Sequence, residues 1–356
     1  MKFCKNCVND IYIKAILETN KEGTCDICKR SKVPIYDTDS DMELINEFEN
    51  LLDIYTCREN LPKDFPPEKT RLLADELHNR WNIFNVDSSE VVFKIITSIC
   101  KEKYTSNPNF FENSIGIKDY NQKEKYLVDD WNDFCRSIKL INRFHYNNIN
   151  LNMLKKFLEY TCSPINKDRK FYRARICEKD SEKFEEKQMG APPKGKAKSG
   201  RINPLGISHL YLSNEKDTTT YEVKAKNGDY VTIGKFKLNR DITVIDMRKL
   251  DKISPFSEID CTEYAINRGI LKKIAEEISK PIKDIDADLE YLPIQYITEY
   301  IKNENFQNDE KIDGIIYDST VKKDSSYNLV LFDEKLCDCY ETSLYKIDLT
   351  YKLESI

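Results

Sequence analysis

Four groups of residues in this 356-residue chain have types and spacing suited to chemistry. Cys4-Lys5-Asn6-Cys7 and Cys25-Asp26-Ile27-Cys28 are two C-x2-C pairs with 17 residues between them. Four thiolates in two knuckles suit tetrahedral zinc, a small ion with no directional preference beyond packing its ligands. The spacing falls in the zinc-ribbon range. Nothing nearby offers an open coordination position, so Cys4, Cys7, Cys25 and Cys28 are expected to hold a structural zinc. The second group, Phe171-Tyr172-Arg173-Ala174-Arg175, sets two arginines two apart on an expected strand, so that both point to one face. The third runs from Ala191-Pro192-Pro193 through Gly200-Arg201-Ile202-Asn203-Pro204 and carries Lys194, Lys196, Lys198 and Arg201 with no acidic residue. Cationic groups on such a loop suit a pyrophosphate, although a solvated basic loop has the same pattern. The fourth is Glu222, in Thr218-Thr219-Thr220-Tyr221-Glu222-Val223. Thr219-x-x-Glu222 also matches a helix capping box, in which the glutamate only satisfies backbone amides. Local pattern alone favours that cap over catalysis.

The elements that must position these groups divide the chain. Residues 1–35 form a cysteine-bearing head, residues 38–163 a helical region and residues 168–340 a mixed α+β region. Ser40-Asp41-Met42-Glu43 resembles a capped helix start, followed by apolar Leu44, Ile45, Phe48, Leu51 and Leu52 at helical spacing. Further helices are expected at 69–81, 88–103, 120–136 and 151–160, which makes this an all-α domain. A boundary is expected near Ser163-Pro164. Beyond it, strands are expected at 171–176, 209–213, 230–238, 242–247, 314–317 and 329–332, all rich in β-branched and aromatic residues. A short helix is expected at 218–226. Between Thr262 and Glu304 lies a helical insert broken by Pro281 and Pro293.

Composition narrows the function classes. The chain is 40% hydrophobic and 33% charged, and its 21 Tyr and 16 Phe can supply a large core. A net charge of −5 argues against a whole-molecule footprint for nucleic acid. No apolar run is long enough to span a membrane. The N-terminal residues lack the apolar core of a signal peptide. The expected location is therefore cytoplasmic, where the 12 cysteines stay mostly reduced and a well-spaced group of them is better suited to metal than to disulfides. There is no Rossmann fingerprint, so nicotinamide dinucleotide would not be bound in the dehydrogenase manner.

Arg71 and His78 sit seven apart, and on a helix both would project from one face. An arginine and a histidine at somewhat shorter helical spacing mark the HEPN ribonucleases, which would make RNA the substrate. Leu72 stands where that family carries a polar residue, and a solvated helix face explains the pair as well.

Taken in order, Tyr172-Arg173, Pro192-Pro193, Gly200-Arg201, Leu210-Tyr211-Leu212, Glu222-Val223, Gly314-Ile315-Ile316-Tyr317-x-Ser319 and Asn328-Leu329-Val330-Leu331-Phe332 resemble the RES family, named for its arginine, glutamate and serine. The head and helical region are similar to the zinc-ribbon and HEPN-like extension of some members. The resemblance implies an ADP-ribosyltransferase-like fold and a cytoplasmic enzyme that consumes NAD, as a glycohydrolase or phosphorylase. Such an enzyme would act as a bacterial toxin or antiphage defence effector, in a toxin–antitoxin setting where a neutralising or triggering protein binds the N-terminal domains. It implies catalytic roles for Arg173, Glu222 and Ser319, with Arg175 a near competitor for the family arginine. Arg175, Arg201, Tyr211 and Asn328 would bind NAD. The insert stretches the segment before Ser319, which leaves Ser325 and Ser326 as rivals. Cleavage of the nicotinamide–ribose bond resembles glycoside hydrolysis, and a carboxylate beside the ribose would stabilise its oxocarbenium-like state. No base has an evident place beside Ser319, so it reads as a positioning group, and His209 beside an expected strand reads as structural. The alternatives are an ADP-ribosyltransferase acting on a macromolecule, the HEPN-type ribonuclease, and a zinc-ribbon binding module with a degenerate enzyme domain.

Overall fold

A computed structural model of the chain describes residues 1–18, 21–145, 148–177, 182–280, 287–306, 309–319 and 326–348. The chain forms two compact units: Met1–Tyr126 with Lys252–Arg268, and Leu127–Asp251 with Gly269–Ile356. Residues 127–163, grouped by sequence with the helical region, belong to the second unit.

In the first unit, β1 (Lys2–Cys4), β2 (Glu22–Gly23) and β3 (Val33–Asp37) form an antiparallel sheet in the order β1-β3-β2. Helix α1 (Ile11–Glu18) follows the first cysteine pair. This head is not a detached knob. Asn9 N donates to Ile83 O and Asn85 N to Cys7 O, and Phe3 meets Phe84 edge-on at 6.2 Å. The rest of the unit corrects the all-α expectation. Alongside α2 (Glu43–Leu52), β4 (Tyr55–Cys57), β5 (Arg71–Leu72) and β6 (Ser114–Ile117) make a second antiparallel sheet, ordered β4-β6-β5. Around it lie α3 (Leu73–Asp75), α4 (Ser89–Ile99), α5 (Lys101–Ser106) and α6 (Pro108–Glu112). The helix expected at 69–81 is instead β5, the single turn α3 and a π-turn over Glu76–Arg80. The wide turn lets Tyr55 Oη and Arg80 Nη1 both donate to the buried Glu76 carboxylate, at 2.9 Å each. Helix α2 begins at Glu43 without a side-chain cap, because Asp41 is engaged by the amide of Asp37.

The second unit is built on one eight-stranded mixed sheet. Its strands are β7 (Cys162–Ile165), β8 (Lys170–Ile176), β9 (Leu210–Ser213), β10 (Tyr230–Leu238), β11 (Ile242–Asp246), β12 (Gly314–Asp318), β13 (Tyr327–Leu331) and β14 (Cys337–Lys346), in the order β14-β10-β8-β9-β13-β12-β11-β7. The expected boundary at Ser163-Pro164 is strand β7, and its proline is tolerated because the strand lies at the sheet edge. Helices α7 (Trp131–Leu140), α8 (Leu151–Glu159) and α9 (Lys216–Glu222) belong to this unit. Asp130 caps α7 by accepting from the amides of Asn132 and Asp133, so this helix begins well after the expected Tyr120.

One pair of neighbours, β11 and β12, runs parallel, and the remaining pairs are antiparallel. A parallel pair requires a crossover of a dozen or more residues. The helical insert supplies it: α10 (Cys261–Ser279), α11 (Ala287–Glu290) and α12 (Leu292–Asn303). Pro281 lies outside the described residues. Pro293 falls in the first turn of α12, where its missing N–H costs nothing, so it starts a helix rather than breaking one. On β8, Phe171 packs into the main core with Leu210, Leu212, Phe236 and Leu329. Ala174 packs on the opposite face with Val231 and Ile233, beside Val223 at the end of α9. No helix among the described residues is long and apolar enough to cross a membrane.

Candidate active site

Strands β8 and β9 pair at a single position, Tyr172 with Ser213. Around that junction opens a cavity of about 480 Å³, lined by residues of β8, β9, α9, β12 and β13 and by Arg201 and Tyr291 from the loops.

Glu222 is the last residue of α9 and borders this cavity. This corrects the capping-box expectation. A cap glutamate belongs in the first helical turn. Here Thr219 Oγ1 donates to Lys216 O, and the Glu222 side chain turns away from its own helix. Its Oε1 accepts from Ser319 Oγ at 3.0 Å and from Asn328 Nδ2 at 2.8 Å. Its Oε2 has no partner among the described residues. The two donors come from different places. Asn328 is on β13 opposite Tyr317 of β12, and Ser319 directly follows β12. The backbone amide of Ser319 donates to Ser326 O, which fixes the serine. Ser326, one of the two rivals, is buried, and Ser325 lies outside the described residues.

The two arginines of β8 separate in role. Arg173 lines the cavity, with Nη1 donating to Tyr211 O at 3.4 Å. Burial, then the neighbouring Arg175, pulls its pKa down to about 10, so it stays charged near neutrality. Arg175 donates to Gln188 O, and its guanidinium stacks 4.3 Å from the Phe184 ring centroid. It is not among the cavity's lining residues.

Arg201 lines the cavity from the basic loop. Its Nη1 donates to Ile278 O and Lys280 O, both at 2.7 Å, at the C-terminal end of α10, where free carbonyls attract a cation. The guanidinium also lies over the rings of Tyr291 and Tyr317, at 5.9 and 5.7 Å. The loop itself is held at two points. Tyr211 Oη donates to Asn203 Oδ1 at 2.6 Å. Gln295, buried on α12, donates through Nε2 to Gly200 O and Asn203 O. A Cβ at position 200 would meet Asn203 Oδ1 and the Tyr211 hydroxyl, so a larger residue than Gly200 would displace the hydrogen-bonded pair. Burial raises the pKa values of Tyr211 and Tyr317, the latter also through Glu222, so both phenols remain protonated donors.

The fold therefore brings Arg173, Arg201, Tyr211, Glu222, Ser319 and Asn328 together and leaves Arg175 outside. Tyr221, Tyr291, Tyr317 and Gln295 were missed as functional candidates. For Gln295 a signal was available: a polar residue amid Ile294, Ile297 and Ile301 on the buried face of a helix.

Arg71 and His78 are not on a common helix. Arg71 is on β5, with Nε 3.7 Å from Glu76, and His78 is on the π-turn with Nδ1 buried and unpartnered. The shared helix face expected of them is not formed. His209 is 2% exposed, 5.3 Å from the Phe332 ring, and its pKa is pushed down to about 4 by burial and by Lys302.

The four head cysteines form a second site. Their sulfurs lie within 4.8 Å of one another, with Cys4–Cys28 at 3.5 Å and Cys7–Cys25 at 3.7 Å. A tetrahedron of thiolates around zinc has S–S edges of about 3.8 Å, so this cluster could hold such a metal ion. The knuckles are joined through backbone: Asp26 N donates to Lys2 O, and Lys2 N donates to Asp26 Oδ2 at 2.6 Å.

No curated protein and no solved structure matches the chain. Among protein families, the RES domain matches residues 170–354, a stretch that holds every residue around Glu222. As that match spans more than half of its length, the chain belongs to the RES domain family.

Proposed function

We propose that this protein cleaves the nicotinamide–ribose bond of NAD, and that it does so as a bacterial toxin or defence effector whose eight-stranded sheet is a variant of the ADP-ribosyltransferase fold. The observation that carries the proposal is the convergence of Ser319 and Asn328 on one oxygen of Glu222, beside a cavity flanked by two arginines. With Oε1 so held, Oε2 is available to the hydroxyls of a bound ribose. A carboxylate fixed in this way stabilises the positive charge that develops at C1′ as the bond to nicotinamide breaks. Nicotinamide departs with the bonding electron pair. Water adding to C1′ yields ADP-ribose and a proton; phosphate as acceptor gives the phosphorylated product. Arg173 and Arg201 hold the diphosphate, and Tyr291 and Tyr317 offer aromatic faces to a base. Ser319 acts as a positioning residue, because its hydroxyl donates to the Glu222 carboxylate and holds it beside the cavity.

In the head, Cys4, Cys7, Cys25 and Cys28 would hold a structural zinc, since four thiolates fill its tetrahedron and leave no open position. The N-terminal domains would engage a neutralising or triggering protein.

The test is release of nicotinamide from NAD by the purified protein, with Glu222→Ala as the control that stays folded. Wild-type activity in that variant sinks the site assignment. Label from NAD recovered on protein or nucleic acid, with no free ADP-ribose, would turn the conclusion to a macromolecular ADP-ribosyltransferase.

A further inference from the structure

A groove of about 940 Å³ lies within the second unit and shares no lining residue with the cavity of Glu222. Its floor is apolar: Ile138 of α7, Leu151 of α8, Leu292 and Tyr296 of α12, and Pro204 of the basic loop. Phe144 and Leu205 also line it, yet they are 80% and 78% exposed. Leu140 and Ile141, at the end of α7, are exposed as well and lie outside the groove. Single exposed apolar residues are ordinary, but three large ones within the five positions 140–144, beside an apolar groove, mark an interaction surface. A small ligand would fill the groove and leave Leu140 and Ile141 in water. A macromolecule covers both.

The groove restricts what that partner presents. No strand lines it, and the backbone of the loop is already paired: Gly206 N donates to Ala197 O, Gly200 N to Asn203 O, and Asn203 Nδ2 to Lys198 O and Pro204 O. It offers no edge to an added strand. A helix laid into the groove, with apolar side chains at i, i+3 or i+4, and i+7, needs no such edge. Charge narrows the partner further. Arg143 and Lys198 line the groove without a carboxylate partner among the described residues. Of its acids, Glu299 is paired with Lys302 at 2.8 Å, which leaves Asp288. Lys194 and Lys196 extend the positive charge along the loop. Acidic flanks on the partner complement it.

We propose that this groove is the docking site for an amphipathic helix of a partner protein, apolar along one face and acidic at its flanks. The groove borders the elements that carry Arg201 and Tyr291. Gln295, one of its lining residues, donates through Nε2 to Ser199 Oγ at 3.2 Å and to Gly200 O, next to Arg201. Leu292 directly follows Tyr291 of the first cavity. A docked helix therefore bears on how Arg201 is held, and only this consequence rests on the NAD-cleaving reading.

The test selects phage-displayed helical peptides on the full chain and counter-selects on Phe144→Glu/Leu205→Glu. Both side chains are exposed, so this variant should fold, which circular dichroism checks. Enriched sequences should place apolar residues at helical spacing between Asp or Glu. A synthetic peptide of that sequence should bind the wild type at least tenfold more tightly than either Phe144→Glu/Leu205→Glu or Arg143→Glu/Lys198→Glu. It should also slow amide exchange in residues 131–145 and 292–303. Failure to enrich any sequence that prefers the wild type, or enrichment of basic flanks, overturns the proposal. So does a dimer of the free chain that Phe144→Glu/Leu205→Glu dissolves, because the occupant is then a second copy. Binding to vesicles of phosphatidylcholine and phosphatidylserine that the same change abolishes overturns it too, because the surface then meets lipid. Nicotinamide release reads the consequence: bound peptide should change the KM for NAD at least threefold. An unchanged KM overturns the link to Arg201. Absence of nicotinamide release with and without peptide counts against the proposed reaction, while the binding arms still decide the groove.

Discussion

Ser319 Oγ donates to Glu222 Oε1 across 3.0 Å of space and 97 residues of chain, and Asn328 joins it on the same oxygen. One carboxylate oxygen is thereby fixed from the end of β12 and from β13, while the carboxylate is carried by the end of α9. The orientation of Glu222 is a property of the sheet, not of the helix that bears it.

Glu222→Gln keeps the shape of the side chain and removes its charge. If the carboxylate stabilises developing positive charge, nicotinamide release should fall by about 10²-fold or more in kcat with a small change in KM. Steady-state kinetics on NAD decide this. A change confined to KM would assign Glu222 to ground-state binding instead.

Ser319→Ala and Asn328→Ala each remove one of the two donors that hold Glu222 Oε1. Each should cost about tenfold in kcat, with the double variant losing less than the product of the two, because the donors act through one carboxylate. If Ser319→Ala were as inactive as Glu222→Gln, the serine would be more than a positioning residue.

Gln295→Leu tests whether the insert builds the site. It leaves the carbonyls of Gly200 and Asn203 without the amide that binds them, at a stability cost of about 1–3 kcal/mol. It should raise the KM for NAD several-fold through Arg201 while kcat changes less. Denaturant unfolding and kinetics together check this; an unaltered KM would separate the insert from substrate binding.

If the four head cysteines hold zinc, its removal should destabilise the first unit. The purified chain is expected to contain about one zinc per molecule by elemental analysis. Cys7→Ser or a strong chelator should then lower Tm by about 5 °C or more, because a zinc held by all four thiolates would tie the two knuckles together. Metal-free protein of unchanged Tm would argue against the zinc assignment.

His209 predicts a pH dependence of stability. Its folded pKa is about 4 against an ordinary 6.5, so between these values the unfolded chain binds a proton that the folded chain does not. The contribution to stability is complete above about pH 6.5, declines as pH falls, and levels off below about pH 4, an overall loss of about 3 kcal/mol. Urea unfolding at pH 7 and pH 4.5 should show a smaller difference in His209→Gln than in the wild type. Equal differences would mean that the ring is not buried in its neutral form.

Much of the second unit was legible in the sequence because its signals are local. Strand β10 was read at Tyr230–Leu238, its observed extent, from a run of β-branched and aromatic residues. The C-x2-C pairs declared a ligand set by chemistry and spacing alone. The order of short motifs named the family. The first unit was less legible: Arg71 and Leu72 pair with Ile115 and Ser114, some forty residues on, and helical periodicity in a short window carries no trace of a partner that distant.

What the sequence by itself determined is therefore the family, the candidate residues and most of the strands of the sheet. What only the tertiary structure decided is which candidates meet. Arg173 and Arg175 share a strand face and a local pattern, yet packing against Phe184 and Gln188 draws one away while Tyr211 keeps the other at the cavity. Thr219-x-x-Glu222 spells a cap, yet the helix starts earlier and presents the glutamate at its far end. The physical reason is the same in both cases. A side chain's role is set by the partners that reach it, and for Glu222 those partners arrive from strands about a hundred residues further along the chain.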